Sequence, residues 1–472
     1  QCDWSSDVCS SDLDGKVPYF NLGGSTYINL LPEILVYLDE RGYDIEVDDV
    51  REYSTTLELG QVVETSFFHR HWPDGSPIVL RDYQVEIINK FLQNPQCIQE
   101  VATGAGKTIM TAALSHQVQH LGRSIVIVPS KSLVTQTEAD YKNMGLDVGV
   151  LFGDRKEYTK QHTICTWQSL NALVKNTKNY EADVTIHDFI EDVVCVMVDE
   201  AHSAKADALK SMLTTIFARV PIRWGLTGTV PKEDYAAVSI FSSLGPLVGK
   251  LSAAELQDAG HLAQCHVNIV QLQDHVEYKD YQSELKYLTT TAERIAFMAK
   301  LVDRIKEGGN TLILVDRIES GKMLQAELST LFSLLSDKPD VAFVSGATKS
   351  TDRKEEYAEV ATANNKIIIA TYGVAAVGIN IPRIFNLVLL EPGKSFVRVI
   401  QSIGRGIRKA EDKDFVQIWD ITSTCRFAKR HLTQRKTYYK EANYPFDLEK
   451  LTDRKSTRLN SSHTDISRMP SS

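Results

Sequence analysis

The run Ala102-Thr103-Gly104-Ala105-Gly106-Lys107-Thr108 constrains this chain more than any other stretch. A short apolar segment carrying Cys97, Ile98 and Val101 precedes it, and Lys107 to Leu121 reads as a helix. Strand, glycine-rich loop and helix in that order build a phosphate cradle. The glycines let backbone N–H groups turn inward on a polyphosphate, and the helix N-terminus adds partial positive charge behind them. Thr103, Gly104, Ala105 and Gly106 would then line the phosphates. Lys107 can reach the β- and γ-phosphates, and the Thr108 hydroxyl can hold Mg²⁺. The usual pattern begins with glycine, and here that position is Val101. The expected ligand is a nucleotide, held at the carboxyl end of a strand in an α/β sheet.

A chain of 472 residues is too long for one ordinary core, so two or three domains are expected. No apolar run reaches the ~20 residues that span a bilayer, which argues against a membrane partner. A net charge of −9 excludes a uniformly basic surface, so contact with nucleic acid must use a local basic groove. The cysteines at 2, 9, 97, 165, 195, 265 and 425 form no C-x-x-C pair. That argues against zinc and disulfides and suits a reducing cytoplasm.

Residues 1–13, with their repeated Ser-Ser-Asp, and residues 453–472 are polar and aperiodic. Both read as translated sequencing-adaptor DNA, and both are set aside from the fold. Residues 14–75 then read as a truncated small α+β accessory domain. It would hold strands at Lys16–Leu22, Ser25–Leu30 and Tyr43–Val47 and a helix at Leu31–Arg41. Residues 76–250 alternate strands (Cys97–Val101, Ser124–Val128, Thr163–Thr166, Val193–Val198, Arg223–Leu226) with helices. Continuous apolar runs of this kind suit parallel strands buried on both faces. Residues 251–290 are more polar and read as a connector. A second alternation over 291–445 places strands at Thr311–Val315, Val341–Val344, Lys366–Ala370, Asn386–Leu390 and Phe415–Trp419. The fold class is therefore α/β, two tandem doubly wound parallel sheets behind a small α+β piece.

Val193–Val198 runs into Asp199-Glu200-Ala201-His202. Two acids at the end of a buried strand lie where open α/β sheets bind ligands. Asp199 can hold Mg²⁺, and Glu200 can orient and deprotonate an attacking water. Paired acids at a strand end also serve as simple helix caps.

Four runs taken in order, A-T-G-A-G-K-T, D-E-A-H, Leu226-Thr227-Gly228-Thr229 and Gln401-Ser402-Ile403-Gly404-Arg405-Gly406-Ile407-Arg408, resemble motifs I, II, III and VI of superfamily 2 helicases and translocases. Arg81-Asp82-Tyr83-Gln84 resembles the adenine-reading Q motif, and Val128-Pro129-Ser130-Lys131 the first nucleic-acid contact. Thr166-Trp167-Gln168-Ser169 is similar to the next contact, and Ala370-Thr371-Tyr372-Gly373 through Gly378-Ile379-Asn380 to motif V. Within that superfamily the chain is similar to the recombination and fork-remodelling helicases of T4-type phages, starting with Asp14-Gly15-Lys16-Val17-Pro18.

The resemblance implies RecA-like domains, ATP and Mg²⁺. Gln84 would read the adenine edge, with Gly378 and Asn380 adding nucleotide contacts. Gln401, Arg405 and Arg408 would act on the γ-phosphate. Arginines in that role are worth about 10³–10⁵ in rate, and a spacing of three puts two of them on one helix face. Ser130, Lys131, Thr166, Thr371 and Tyr372 would touch phosphates, and Trp167 would stack on a base unless it packs in the core. His202, Thr227 and Thr229 would couple the two sites. The implied partner is single-stranded, forked or branched DNA, with RNA–DNA hybrids. The basic run Arg426–Lys440 suits either an extension of the groove or a solvated helix face. Competing readings are a restriction-type duplex translocase, an RNA helicase, and an ATPase that moves no nucleic acid.

Overall fold

The computed structural model describes residues 19, 23–48, 50, 57–72, 74–179, 183–202, 207–231, 234–333, 335, 338–346, 348, 350–376, 381 and 383–451. The chain divides into two compact units, residues 1–100 with 108–250 and residues 101–107 with 251–472.

The first sheet is built from β1 (Gln96–Val101), β2 (Arg123–Val128), β3 (Val148–Phe152), β4 (Arg155–Lys156), β5 (His162–Thr166), β6 (Val193–Asp199), β7 (Ile222–Thr227) and β8 (Leu247–Leu251). Its order is β4-β3-β5-β2-β6-β7-β1-β8. From β3 across to β1 every pairing is parallel, and β4 adds an antiparallel edge to β3. Successive side chains on a strand point to opposite faces. Ile125, Val126, Ile127 and Val128 are each at most 1% exposed, so both faces of β2 are covered. One cluster of this core joins Ile127, Cys165, Val198 and Phe217.

The second sheet comprises β9 (Gln264–Leu272), β10 (Thr311–Val315), β11 (Asp340–Val344), β12 (Lys366–Thr371), β13 (Asn386–Leu390), β14 (Phe415–Ser423) and β15 (Phe446–Leu451). Its order is β11-β12-β10-β13-β14-β9-β15, parallel at every pairing. Its core gathers Ile313, Val315, Ile369 and Val388 with Phe297, Leu301 and Leu324 from flanking helices. Both expected parallel sheets are thus present.

Four readings need correction. The stretch read as a connector, 251–290, carries β9, an interior strand of the second sheet, and the helix Tyr281–Thr290. The last strand, β15, begins just past residue 445, where the second sheet was expected to end. In the N-terminal piece Ser25–Leu30 is no strand. Ile28–Leu30 is a 3-10 turn leading into the helix Leu31–Asp39, with Pro32 in its first turn. Among the described residues Tyr43–Val47 has no ladder partner, and Tyr43 and Val47 are exposed. The expected strand Lys16–Leu22 is outside the described residues but for Tyr19, which is in no strand.

Candidate active site

β1 ends at Val101, and the helix Lys107–Val118 starts at Lys107. Between them Gly104 has φ +93 and Gly106 φ +86, a left-handed backbone that a Cβ would strain. The Ala105 N–H closes a turn on the Ala102 carbonyl at 3.3 Å. Left-handed glycines ahead of a helix start are the backbone a phosphate nest requires. The loop therefore fits a polyphosphate, with Thr103 and Ala105 inside it and Lys107 and Thr108 in the first helical turn.

β6 delivers Asp199, and the chain turns sharply at Glu200, whose φ is +55. A non-glycine residue held left-handed costs about 1–2 kcal/mol, and such strain is kept where a side chain must be aimed. The Glu200 N–H donates to Asp199 Oδ1 at 3.0 Å. Asp199 and Thr108 offer hard oxygen ligands, the donor type that suits Mg²⁺.

The Thr227 hydroxyl, at the end of β7, donates to the Thr229 carbonyl at 2.8 Å. With its one proton used, it must accept from His202 Nδ1, 3.0 Å away. His202 therefore carries its proton on Nδ1, and that same N–H faces Glu200 Oε2 at 3.4 Å. Two hydrogen bonds thus link His202 to Thr227 and Thr227 to Thr229, and a 3.4 Å polar contact sets Glu200 beside His202. These four residues, which the resemblance named separately, are brought together within one unit.

The DEAH turn also depends on a residue the sequence did not single out. A Cβ on Gly225, in the middle of β7, would lie 3.0 Å from the Ala201 Cβ, 2.9 Å from Leu244 Cδ1 and 3.1 Å from Ile98 Cγ1. Ala201 is fully buried, so the turn bearing Glu200 rests directly on the β7 backbone. Gly225→Val is expected to destabilise by about 1–3 kcal/mol, the usual overpacking cost. A urea titration and a kcat measurement on the same sample check it. An unchanged midpoint and kcat would show that the turn has room to spare.

Gln84 is buried, and its side-chain oxygen accepts the Arg81 N–H at 3.0 Å, closing the start of the helix Asp82–Gln93. Ser130 and Thr166 play the same part elsewhere. The Ser130 hydroxyl accepts from Leu133 N and the Thr166 hydroxyl from Ser169 N. Both line a cleft of about 590 Å³ together with Lys131, Lys156, Gln168 and Asn176. Lys156 was not foreseen because the β3–β4 hairpin was not recognised, and Asn176 because it lies on the helix Trp167–Lys178, beyond the motif that precedes it. Trp167 packs, half-buried, against the core of the first unit, which favours its packing role over stacking on a base.

In the second unit Gln401 and Arg405 lie one turn apart on the helix Phe396–Gly406, and Arg405 Nη1 donates to the Gln401 carbonyl at 3.2 Å. Arg408 does not share that face, because the helix stops at Gly406 and Arg408 pairs instead with Leu262 in a β-bridge. Lys413 Nζ donates to the carbonyls of Gly406 (2.5 Å) and Arg408 (2.8 Å), pinning this turn. Burial, with Arg405 second, pushes the Arg408 guanidinium down to about 10, still a cation at neutral pH. Thr371 ends β12 and is half-buried. Tyr372 is a correction to its expected role at phosphate. It is 3% exposed, donates to the Leu390 carbonyl at 3.3 Å, and cannot reach a nucleic acid from there. Gly378 and Asn380 are outside the described residues.

Residues 77–232 match the family described as Type III restriction enzyme, res subunit, and residues 293–410 match the Helicase conserved C-terminal domain. The ATP-dependent DNA helicase uvsW of Enterobacteria phage T4 is 22% identical over 456 residues, covering 90% of this chain and 84% of the phage protein. Among solved structures, a fragment of a putative HsdR subunit of a type I restriction enzyme from Vibrio vulnificus YJ016 superposes with a TM-score of 0.60. It shares 19% identity and covers 84% of this chain and 72% of that one. S. cerevisiae Dbp5 bound to RNA and ADP BeF3 reaches 0.53 at 14% identity, over 79% of this chain and 90% of its own. At such identities the likeness speaks for the fold.

Proposed function

The chain belongs to the superfamily 2 helicases, ATP-dependent enzymes that bind nucleic acid, and from that premise we propose that it is a DNA motor remodelling forks, junctions and RNA–DNA hybrids. The observation that carries the motor reading is the run of polar contacts Glu200–His202–Thr227–Thr229. It ties the carboxylate that would face the attacking water to the loop after β7. A change at the phosphate end therefore has a route through the first sheet. DNA as the substrate is supported by the similarity to a phage DNA helicase over most of both chains.

In this reading the 103–106 loop and Lys107 hold the phosphates of ATP, and Gln84 reads the adenine. Thr108 and Asp199 hold Mg²⁺, which when bound neutralises charge building up on the phosphate oxygens. Glu200 takes the proton of the attacking water, its carboxylate steadied by the His202 Nδ1–H. Gln401, Arg405 and Arg408 stabilise the transferring phosphoryl group. Ser130, Lys131 and Thr166 contact the sugar–phosphate backbone, so binding carries little base preference.

ATPase assays with single-stranded, linear duplex, forked and four-way DNA, beside RNA, test the substrate. Forks and four-way junctions are expected to stimulate most, with activity falling steeply as salt rises. Equal stimulation by linear duplex and junction would sink branch remodelling. It would favour a second reading, a duplex translocase, which Thr227-Gly228-Thr229 in place of the commoner Ser-Ala-Thr also suits.

A further inference from the structure

Among the described residues two acids are held left-handed, Glu200 at φ +55 and Glu391 at φ +44. Glu200 has a place in the proposed chemistry. Glu391 lies outside every run that the sequence singled out. It follows β13 directly, and only Pro392, Gly393, Lys394 and Ser395 separate it from the helix Phe396–Gly406, which bears Gln401 and Arg405.

A left-handed acid persists only where its surroundings over-determine it. The Glu391 side chain is 5% exposed, its Oε1 accepting from Arg294 Nη2 and its Oε2 from the Thr422 hydroxyl, both at 3.2 Å. Its own N–H donates to the Ile421 carbonyl at 3.0 Å. Arg294, fully buried on the helix Ala292–Ile305, is fixed in turn by the Leu288 carbonyl at 3.0 Å and by the Asp274 carboxylate. The rest of the loop is tied down as well. Arg435 donates to the Gly393 carbonyl at 2.8 Å, and the Tyr438 hydroxyl to the Lys394 carbonyl at 3.0 Å. Ser395 then caps the helix, its hydroxyl accepting the Arg398 N–H at 3.3 Å.

The groups facing Glu391 come from four elements. Arg294 lies on one helix, Arg435 and His431 on the helix Arg426–Glu441, Asp420 on β14, and Tyr281 and Glu284 on the helix Tyr281–Thr290. Burial favours the neutral acid. It pushes Glu391 up to about 7, against the pull of Arg294, Arg435 and the Thr422 bond. Burial, then Arg435, holds His431 down to about 4, so that ring stays neutral over the same range. Ionised, Glu391 accepts from Arg294 and Thr422 together. Protonated, it loses the charge that holds Arg294.

We propose that Glu391 is a positioning residue for the arginine-bearing helix: its carboxylate, clamped by Arg294 and Thr422, fixes the loop from which that helix starts and so the places of Gln401 and Arg405. This deepens the proposed function and rests on the assignment of that helix to the γ-phosphate.

The test is ATPase turnover of the full chain at saturating ATP, Mg²⁺ and DNA from about pH 6 to about 8.5, beside a thermal melt at each pH. Wild-type kcat should fall as pH drops through about 7, where Glu391 takes up its proton. Glu391→Gln keeps the length of the side chain and loses its charge at every pH. Its kcat should lie about 10- to 100-fold below the wild-type alkaline plateau, with no acid limb and KM for ATP within a few-fold. Thr422→Val keeps the strand shape and deletes one bond to the ionised carboxylate. The midpoint of its acid limb should therefore move to higher pH with the alkaline plateau kept, a shift that lost packing alone does not produce. If Glu391→Gln melts early, Thr422→Val decides alone. Arg405→Ala gives the comparison and should lose turnover at every pH. With Arg405→Ala inactive, three results would each overturn the positioning role and leave the helix assignment standing. They are wild-type turnover in Glu391→Gln, a lower turnover there with the acid limb intact, and an unmoved midpoint in Thr422→Val. Wild-type turnover in Arg405→Ala would overturn the helix assignment and the proposal with it.

Discussion

Replacing Lys107 with alanine is expected to abolish ATP hydrolysis while the protein stays folded. Lys107 is the first residue of its helix and only half-buried, and alanine is the better helix former. The substitution leaves the core packing intact and introduces no strain, since the two left-handed positions ahead of it are glycines. What disappears is a fixed positive charge that, in the proposed site, faces the β- and γ-phosphates. Loss of one such preorganised group costs on the order of 10³ or more in turnover. Steady-state ATPase with saturating DNA, beside a thermal melt, measures both halves. Turnover near wild type would show that the loop holds its ligand without Lys107, and the phosphate assignment would fall.

Arg408→Ala is the second large effect expected. The backbone at this position is independently secured. Ile407 accepts from Ala263 N at 2.8 Å, Arg408 bridges to Leu262, and Lys413 Nζ reaches the Arg408 carbonyl. Truncating the side chain therefore leaves the turn in place and deletes the guanidinium alone. That group stays cationic at neutral pH although burial draws it down to about 10. A charge kept out of water interacts more strongly than one at the surface. If it stabilises the transferring phosphoryl group, kcat should fall by about 10³ or more while KM for ATP stays within a few-fold. A change confined to KM would assign Arg408 to ground-state binding.

Much of the fold was legible because parallel strands covered on both faces leave uninterrupted apolar runs. Ser124–Val128, Thr311–Val315 and Asn386–Leu390 were all identifiable for that reason, to within a residue at each end. β9 was not, and its burial shows why. Its run Gln264–Leu272 places His266 and Asn268 between apolar residues, and each has a cross-strand polar partner. His266 Nε2 lies 2.9 Å from Asp447 Oδ2 on β15, and Asn268 donates to Gln417 Oε1 on β14 at 2.7 Å. A strand whose polar residues are satisfied by neighbours distant in sequence resembles a linker until those neighbours are known. β15, with Asp447, Glu449 and Lys450, is a charged edge strand of the kind that discourages further pairing, and it was missed for the same reason.

At the site, motif order named Asp199, Glu200 and His202 in one run and Thr227 in another, and left to the structure that His202 lies beside both Glu200 and Thr227. It could not show that Tyr372 is drawn inward, because a motif position specifies a residue type and leaves burial to the surrounding core. Nor could spacing alone reveal that the helix stops before Arg408. That stop depends on Lys413 capping the carbonyls of Gly406 and Arg408 from beyond the turn.

The placement of β9 has a bearing on how the protein is made. It is the first strand of the second sheet to be synthesised, yet it lies between the two that are synthesised last. Its pairing with β14 joins residues 150 positions apart, as between Asn268 and Ile418. At about 5–20 residues per second on the ribosome, β9 waits on the order of ten seconds for its first partner and longer for β15. The first sheet, whose strands all emerge earlier, can close in that interval. Meanwhile Val267, Ile269 and Val270, all buried in the finished sheet, remain uncovered in the nascent chain. The translating ribosome and its chaperones are therefore where this protein is most exposed to misassembly.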